Sequence, residues 1–75
     1  MRVQLAKWGD RVRTLEVEEG ATIADVLRRA GEDPSDLAGF QIRIFGETGE
    51  VRLDRPVEPG ETVMLSPEVK GGEVA

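Results

Sequence analysis

The 75-residue chain has room for one small domain and none for a second. It contains neither cysteine nor histidine, which excludes disulfides, zinc-thiolate sites, thiol nucleophiles and the commonest general base, so we expect no enzymatic activity, cofactor or metal. Ten Lys and Arg against 15 Asp and Glu give a net charge of -5, which disfavours nucleic acid as a partner and favours basic proteins.

The first predicted element is a β-hairpin. Residues 2–7 and 11–17 alternate in polarity as half-buried strands do, and the sequence WGD between them predicts a turn. Alternate side chains share one face of a strand. The predicted inner face carries Val3, Leu5, Leu15 and Val17. The predicted outer face carries Gln4, Ala6, Thr14 and Glu16.

A helix of about nine residues is predicted after the hairpin. Its apolar residues recur at the spacing of one helix face, and they are Ile23, Val26, Leu27 and Ala30. Thr22 is the predicted N-cap, and Asp25 can complete a capping box with it. Gly31 is predicted to end the helix in the left-handed conformation.

Three further strands are predicted beyond a connector that Leu37 anchors in the core. Their sequences are FQIRIF, EVRLD and TVMLS, with inward side chains predicted at Ile42, Ile44, Val51, Leu53, Val63 and Leu65. Val57 lies in the connection between the last two strands. The order ββαβββ predicts an α+β fold in which a mixed sheet of four or five strands packs on one helix, with the first and last strands parallel.

The stretch TLEVEEGATIADV, residues 14–26, closely resembles the second strand and the helix start of ubiquitin. The matching residues are Thr14, Leu15, Glu16, Val17, Glu18, Thr22, Ile23 and Val26. QIRIF resembles the third strand of that family, and ETVMLSPEVKGG resembles its last strand and tail. The chain therefore resembles the ubiquitin-like β-grasp family, which includes protein modifiers and the sulfur carriers of thiamine and molybdopterin synthesis. This resemblance implies a β-grasp domain over residues 1–66 and a flexible tail over residues 67–75.

The resemblance gives the tail a chemical role, because members of this family are activated at a terminal diglycine. Gly71 and Gly72 would be the activation and conjugation residues, and the Gly72 carboxylate would be adenylated by an ATP-dependent E1-like enzyme. Here Glu73, Val74 and Ala75 follow the diglycine, so the chain resembles a precursor that is cut between Gly72 and Glu73. The alternatives are a sulfur carrier that forms a C-terminal thiocarboxylate and a non-covalent β-grasp interaction or assembly module.

The implied partners are the E1-like enzyme, a processing protease, for which a JAB/MPN-type metalloprotease is a candidate, and an E2-like enzyme or a sulfur acceptor. The predicted partner-binding surface combines outward apolar residues with one basic tail residue: Phe45, Met64, Ala6, Trp8 and Lys70. Lys7 is a candidate acceptor for a second copy of the chain, although an ordinary surface lysine is the favoured interpretation. With no apolar run near the roughly 20 residues that cross a bilayer, we expect a cytoplasmic protein without membrane contact.

Overall fold

A computed structural model describes residues 1–37 and 39–67 of the chain. Four strands, one α-helix and one short 3₁₀ helix make up this part of the protein. In chain order they are β1 (Arg2–Lys7), β2 (Val12–Glu16), α1 (Ile23–Arg29), the 3₁₀ helix (Pro34–Leu37), β3 (Phe40–Ile44) and β4 (Thr62–Pro67).

The four strands form one mixed sheet in the order β2-β1-β4-β3. β1 and β4 are parallel in the centre, with Leu5 beside Val63, whereas the β1-β2 and β3-β4 pairs are antiparallel. This confirms the α+β architecture and the parallel pairing of the first and last strands. Because α1 packs on one face only, no element of residues 1–37 and 39–67 covers the other face, which we call the open face of the sheet.

The core lies between the sheet and α1. Eleven hydrophobic side chains are buried in it: Val3, Leu5, Ala21, Ile23, Val26, Leu27, Leu37, Ile44, Val57, Val63 and Leu65. Leu15, Val17 and Ile42 are half-buried and pack against this cluster, at the sides of the sheet where fewer neighbours cover them. The predicted alternation of inward and outward residues is therefore confirmed in β1, β2, β3 and β4.

The predicted capping residues are found at both ends of α1. The Thr22 hydroxyl accepts a hydrogen bond from the Asp25 amide, and the Asp25 carboxylate accepts one from the Thr22 amide, which completes the capping box. Gly31 follows the C-cap Ala30 with a φ of 83°, a value that favours glycine. The helix has seven residues, and nine when its two caps are counted, in agreement with the predicted length.

The prediction of a strand at EVRLD is wrong. The Val51 amide donates to the Ile42 carbonyl at 2.8 Å, but residues 50–54 form no strand, and Leu53 is 39% exposed instead of facing the core. The chain turns away from β3 here because two of its backbone carbonyls accept hydrogen bonds from the first amides of α1. The carbonyls of Leu53 and Arg55 accept the Ala24 and Ile23 amides, which are among the donors that a helix start leaves unpaired.

An ion-pair cluster around Arg55 fixes this same loop. The Arg55 guanidinium contacts both carboxylate oxygens of Glu61, at 3.1 and 3.2 Å, and the Glu47 carboxylate at 2.8 Å. The hydrogen bonds from Arg55 hold the pKa of Glu61 below its ordinary value against the opposing effect of desolvation, and the Glu58 amide adds a further hydrogen bond. Since all of these groups lie between residues 47 and 61, the cluster closes the long connection between β3 and β4.

Candidate functional site

The open face of the sheet carries a row of side chains that crosses all four strands. The register places Ala6 beside both Val12 and Met64, and Met64 beside Arg43. The row therefore reads Val12, Ala6, Met64, Arg43 from one sheet edge to the other. Val12 is 58% exposed, and Ala6 and Met64 are half-buried. The row therefore consists of three apolar side chains followed by the cationic side chain of Arg43.

A shallow depression of about 380 Å³ lies along this row, from Ala6 to Arg43. We call it the sheet-end depression, and it is lined by Ala6, Lys7, Trp8, Gly9, Arg43, Met64, Leu65 and Ser66. Trp8 stands at its rim, 70% exposed, where its amide donates to the Leu65 carbonyl at 2.7 Å. Because β1 and β4 are parallel, both end beside the depression.

The predicted patch of Phe45, Met64, Ala6 and Trp8 is only partly brought together. Ala6, Trp8 and Met64 line the sheet-end depression, but Phe45 does not. The Phe45 amide donates to the Thr62 carbonyl, which places Phe45 beside the first residue of β4, whereas Trp8 lies near its end. Phe45 is 73% exposed and stands apart from the depression on the same face.

Arg43 is the residue of this surface that the predicted site omits. Within the described residues it forms no salt bridge, unlike the other arginine on this face, Arg2, whose Nε lies 2.9 Å from the Glu16 carboxylate. That hydrogen bond from Arg2 is the main cause of a lowered pKa at Glu16. The parity of β3 indicates that Arg43 faces outward, but the sequence does not give the register that places it beside Met64.

Lys7, the predicted chain acceptor, is already engaged. Its Nζ lies 2.9 Å from Glu32 Oε1, and its side chain is 28% exposed. Arg13 contacts the other oxygen of Glu32 at 3.3 Å and donates to the Ala30 carbonyl at 3.0 Å, so the three residues tie β1 and β2 to the end of α1. A second copy attached at Lys7 would have to displace this ion pair.

Four predicted site residues lie outside the described part of the chain: Lys70, Gly71, Gly72 and Glu73. Their roles stay predictions. Among residues 1–37 and 39–67 no three acidic side chains are grouped to hold a metal ion. No helix in those ranges is long and apolar enough to cross a membrane.

A second depression, of about 580 Å³, lies where β2 leads into α1. Acidic side chains dominate its lining, which includes Glu16, Glu18, Glu19 and Asp25. Asp25 is committed to the capping box, and Glu16 is paired with Arg2. This depression shares no lining residue with the sheet-end depression and differs from it in charge.

Comparison with protein-family models gives no match, and comparison with curated proteins gives none either. The solved structures that are similar to the chain include two archaeal proteins. The crystal structure of SAMP1 from Haloferax volcanii has a TM-score of 0.72 and 20% identity, covering 96% of this chain and 100% of the other. A ubiquitin-like protein from the hyperthermophilic archaea Caldiarchaeum subterraneum has a TM-score of 0.52 and 17% identity, covering 95% and 100%. With the strand order and the single helix, these likenesses show that the chain has the ubiquitin-like β-grasp fold.

Proposed function

We propose that the chain is the precursor of a ubiquitin-like protein modifier, cleaved after Gly72 and then activated at the Gly72 carboxylate. The observation that carries the proposal is the combination of a β-grasp domain with a diglycine soon after its last strand. Gly72 follows Pro67, the last residue of β4, by five positions. Five extended residues reach at most about 17 Å, far enough for a terminal carboxylate to enter an enzyme cleft while the domain stays outside.

The first step of the proposed function is hydrolysis of the amide between Gly72 and Glu73. Water adds to the Gly72 carbonyl carbon, the amine of Glu73 leaves, and a free carboxylate remains on Gly72. A processing protease supplies this chemistry, and a JAB/MPN-type metalloprotease is a candidate for it. Gly71 and Gly72 suit a narrow cleft in such an enzyme, because residues without Cβ let the enzyme's backbone approach the backbone of the tail closely.

The second step uses ATP. The Gly72 carboxylate attacks the α-phosphorus of ATP and displaces pyrophosphate, and a thiol of the E1-like enzyme then attacks the acyl carbon and releases AMP. The acyl group can pass to an E2-like thiol and then to an amine of the target. All catalytic groups belong to the partners, while this chain supplies the electrophile and a folded domain by which it is recognised.

The test compares the full chain with a variant that ends at Gly72, each incubated with ATP and an E1-like enzyme of the same organism. Intact mass and ATP-pyrophosphate exchange are the readouts. We expect the chain ending at Gly72 to form a thioester and a lysine conjugate, while the full chain stays unmodified until a protease removes residues 73–75. Gly72→Ala, in the chain ending at residue 72, should reduce the exchange rate.

Two other results would replace this proposal. A mass gain equal to the exchange of one oxygen for one sulfur, obtained when sulfide or a sulfur donor is present, would identify a sulfur carrier. Equal exchange with and without the free Gly72 carboxylate, and no adduct with either chain, would leave a β-grasp interaction or assembly module that does not use its terminus.

A further inference from the structure

We infer that Glu32 withholds the Lys7 amine from acyl transfer, so that the folded domain does not accept a second copy of the chain at Lys7. Lys7 is the one lysine in residues 1–37 and 39–67. The consequence for conjugation rests on the proposed function. The protection of the amine does not rest on it, because the contacts that cause it lie within the folded domain.

Lys7 occupies an inward-facing position at the end of β1. It has the same parity as Val3 and Leu5, which are fully buried, and the register places it beside Leu65. Its side chain therefore reaches the end of α1 and is only 28% exposed. Arg2, at an outward position of the same strand, is 77% exposed. The position of Lys7 in the strand thus limits the access of solvent to its amine.

Glu32 is held beside Lys7 by both its backbone and its side chain. Its amide donates to the Leu27 carbonyl at 2.9 Å, as the second residue after the C-cap does in a Schellman motif. Arg13 contacts Glu32 Oε2 at 3.3 Å and also donates to the Ala30 carbonyl, while Lys7 Nζ donates to Glu32 Oε1 at 2.9 Å. Each carboxylate oxygen has its own cation, so Arg13 fixes the carboxylate without taking the oxygen that Lys7 uses.

Acyl transfer to a lysine requires a neutral amine with a free lone pair. The amine nitrogen attacks the acyl carbon of a thioester, the C–S bond breaks, and the proton lost by the amine passes to the departing thiolate. At Lys7 the nitrogen must first give up its charge-assisted hydrogen bond to Glu32, and the amide that forms has no charge with which to restore the ion pair. The Glu32 side chain is 19% exposed, so water replaces the lost partner only in part.

The first test uses chemical acetylation with N-hydroxysuccinimidyl acetate and no conjugation enzyme. Peptide mass spectrometry gives the acetylation rate of Lys7 in the folded chain, and the same lysine in the chain unfolded by urea is the reference. We expect Lys7 to react more slowly in the folded chain. Glu32→Gln should raise the folded rate by about threefold or more and leave the unfolded rate unchanged. Urea unfolding and amide spectra establish that the variant is folded during labelling.

Glu19→Gln is the matched control, because Glu19 is exposed and forms no salt bridge in the part of the chain that the structure describes. It removes the same charge as Glu32→Gln and should leave the rate at Lys7 unchanged. The inference is overturned if the two variants act equally, or if Lys7 reacts as fast in the folded chain as in the unfolded one. It is also overturned if Glu32→Gln slows acetylation, since Glu32 would then act as a base that activates Lys7.

The second test adds ATP and an E1-like enzyme to chains that end at Gly72. We expect Glu32→Gln to form a dimer linked through Lys7, and the chain with Glu32 to form at least about threefold less of it. Equal amounts of this dimer from both chains would contradict the inference. If neither chain forms a thioester, the proposed function fails, and the acetylation rates alone decide whether Glu32 protects Lys7.

Discussion

At the residue scale, Glu61 shows how one carboxylate can hold a long loop. Its two oxygens accept from the Arg55 guanidinium, and one of them also accepts from the Glu58 amide at 2.8 Å. The Glu61 side chain is 17% exposed, so these hydrogen bonds are partly shielded from water. Charge-assisted hydrogen bonds of this kind are about twice as strong as neutral ones.

We predict that Glu61→Gln lowers the free energy of unfolding by about 1 kcal/mol at pH 7. The pKa of Glu61 is lowered in the folded chain, so its contribution is complete above the ordinary value of 4.5 and is lost as the pH falls through the folded value. The difference between the two proteins should therefore shrink in acid. Urea unfolding at pH 7 and pH 3 measures it.

Glu58→Gln is the control for this prediction, because the Glu58 side chain is exposed and only its amide takes part in the cluster. It should change the stability little at either pH. A Glu61→Gln effect as large at pH 3 as at pH 7 would show that the carboxylate charge does not stabilise the loop.

At the element scale, α1 is short enough that its ends decide whether it forms. Seven helical residues are well below the roughly 12–15 at which an isolated helix becomes marginally stable in water. Its first amides are met by the Leu53 and Arg55 carbonyls and by the Thr22 hydroxyl, and Arg13 donates to the Ala30 carbonyl at the other end. Loop, hairpin and helix therefore stabilise one another.

We predict that Thr22→Ala lowers the free energy of unfolding by about 1 kcal/mol, because the Asp25 amide loses its acceptor. Thr22→Ser keeps the hydroxyl and should retain most of the stability. Thermal unfolding of the two variants tests this. Equal losses in both would indicate that the methyl group of Thr22, and not its hydroxyl, matters.

At the other end of the helix we predict that Arg13→Ala increases amide hydrogen exchange at Ala30, Gly31 and Glu32, since the Ala30 carbonyl and the Glu32 carboxylate each lose a donor. Arg11→Ala, two residues earlier on the same hairpin, changes the charge equally without such contacts in the described structure and should leave that exchange unchanged. Faster exchange throughout the chain would instead mean that Arg13 stabilises the whole fold.

The elements also show what the sequence can and cannot predict. The periodicity of α1 and the alternation in β1 and β4 predict these elements, because each element turns one regularly spaced set of apolar residues towards the same core. EVRLD has the alternation of a strand, but its carbonyls pair with the start of α1, a contact between distant residues that no local pattern records. For the same reason, the alternation of β3 predicts that Arg43 faces outward, but it does not predict which residue of β4 lies beside Arg43. Only the register of the sheet places Arg43 beside Met64.

At the scale of the whole molecule, the central β1-β4 pair joins residues that are far apart in sequence. Thr62 and Gln4, 58 positions apart, are paired in register and share a side-chain hydrogen bond at 3.1 Å. The hairpin and the helix lie between these strands in the chain, so neither half of the sheet is complete without the other. We therefore expect unfolding to be a single cooperative transition.

Two leucines, one buried and one partly exposed, distinguish the core from the loop between β3 and β4. Leu27 is fully buried beneath the sheet, and Leu27→Ala should cost about 2–5 kcal/mol through lost contacts and a residual cavity. That cost is comparable to the entire stability of a small domain, so loss of the urea transition is an expected outcome. Leu53 is 39% exposed, and Leu53→Ala removes the same atoms while leaving its helix-capping carbonyl in place, so it should cost well under half as much. If the two substitutions proved equally destabilising, the Leu53 side chain would belong to the core and not to its exposed edge.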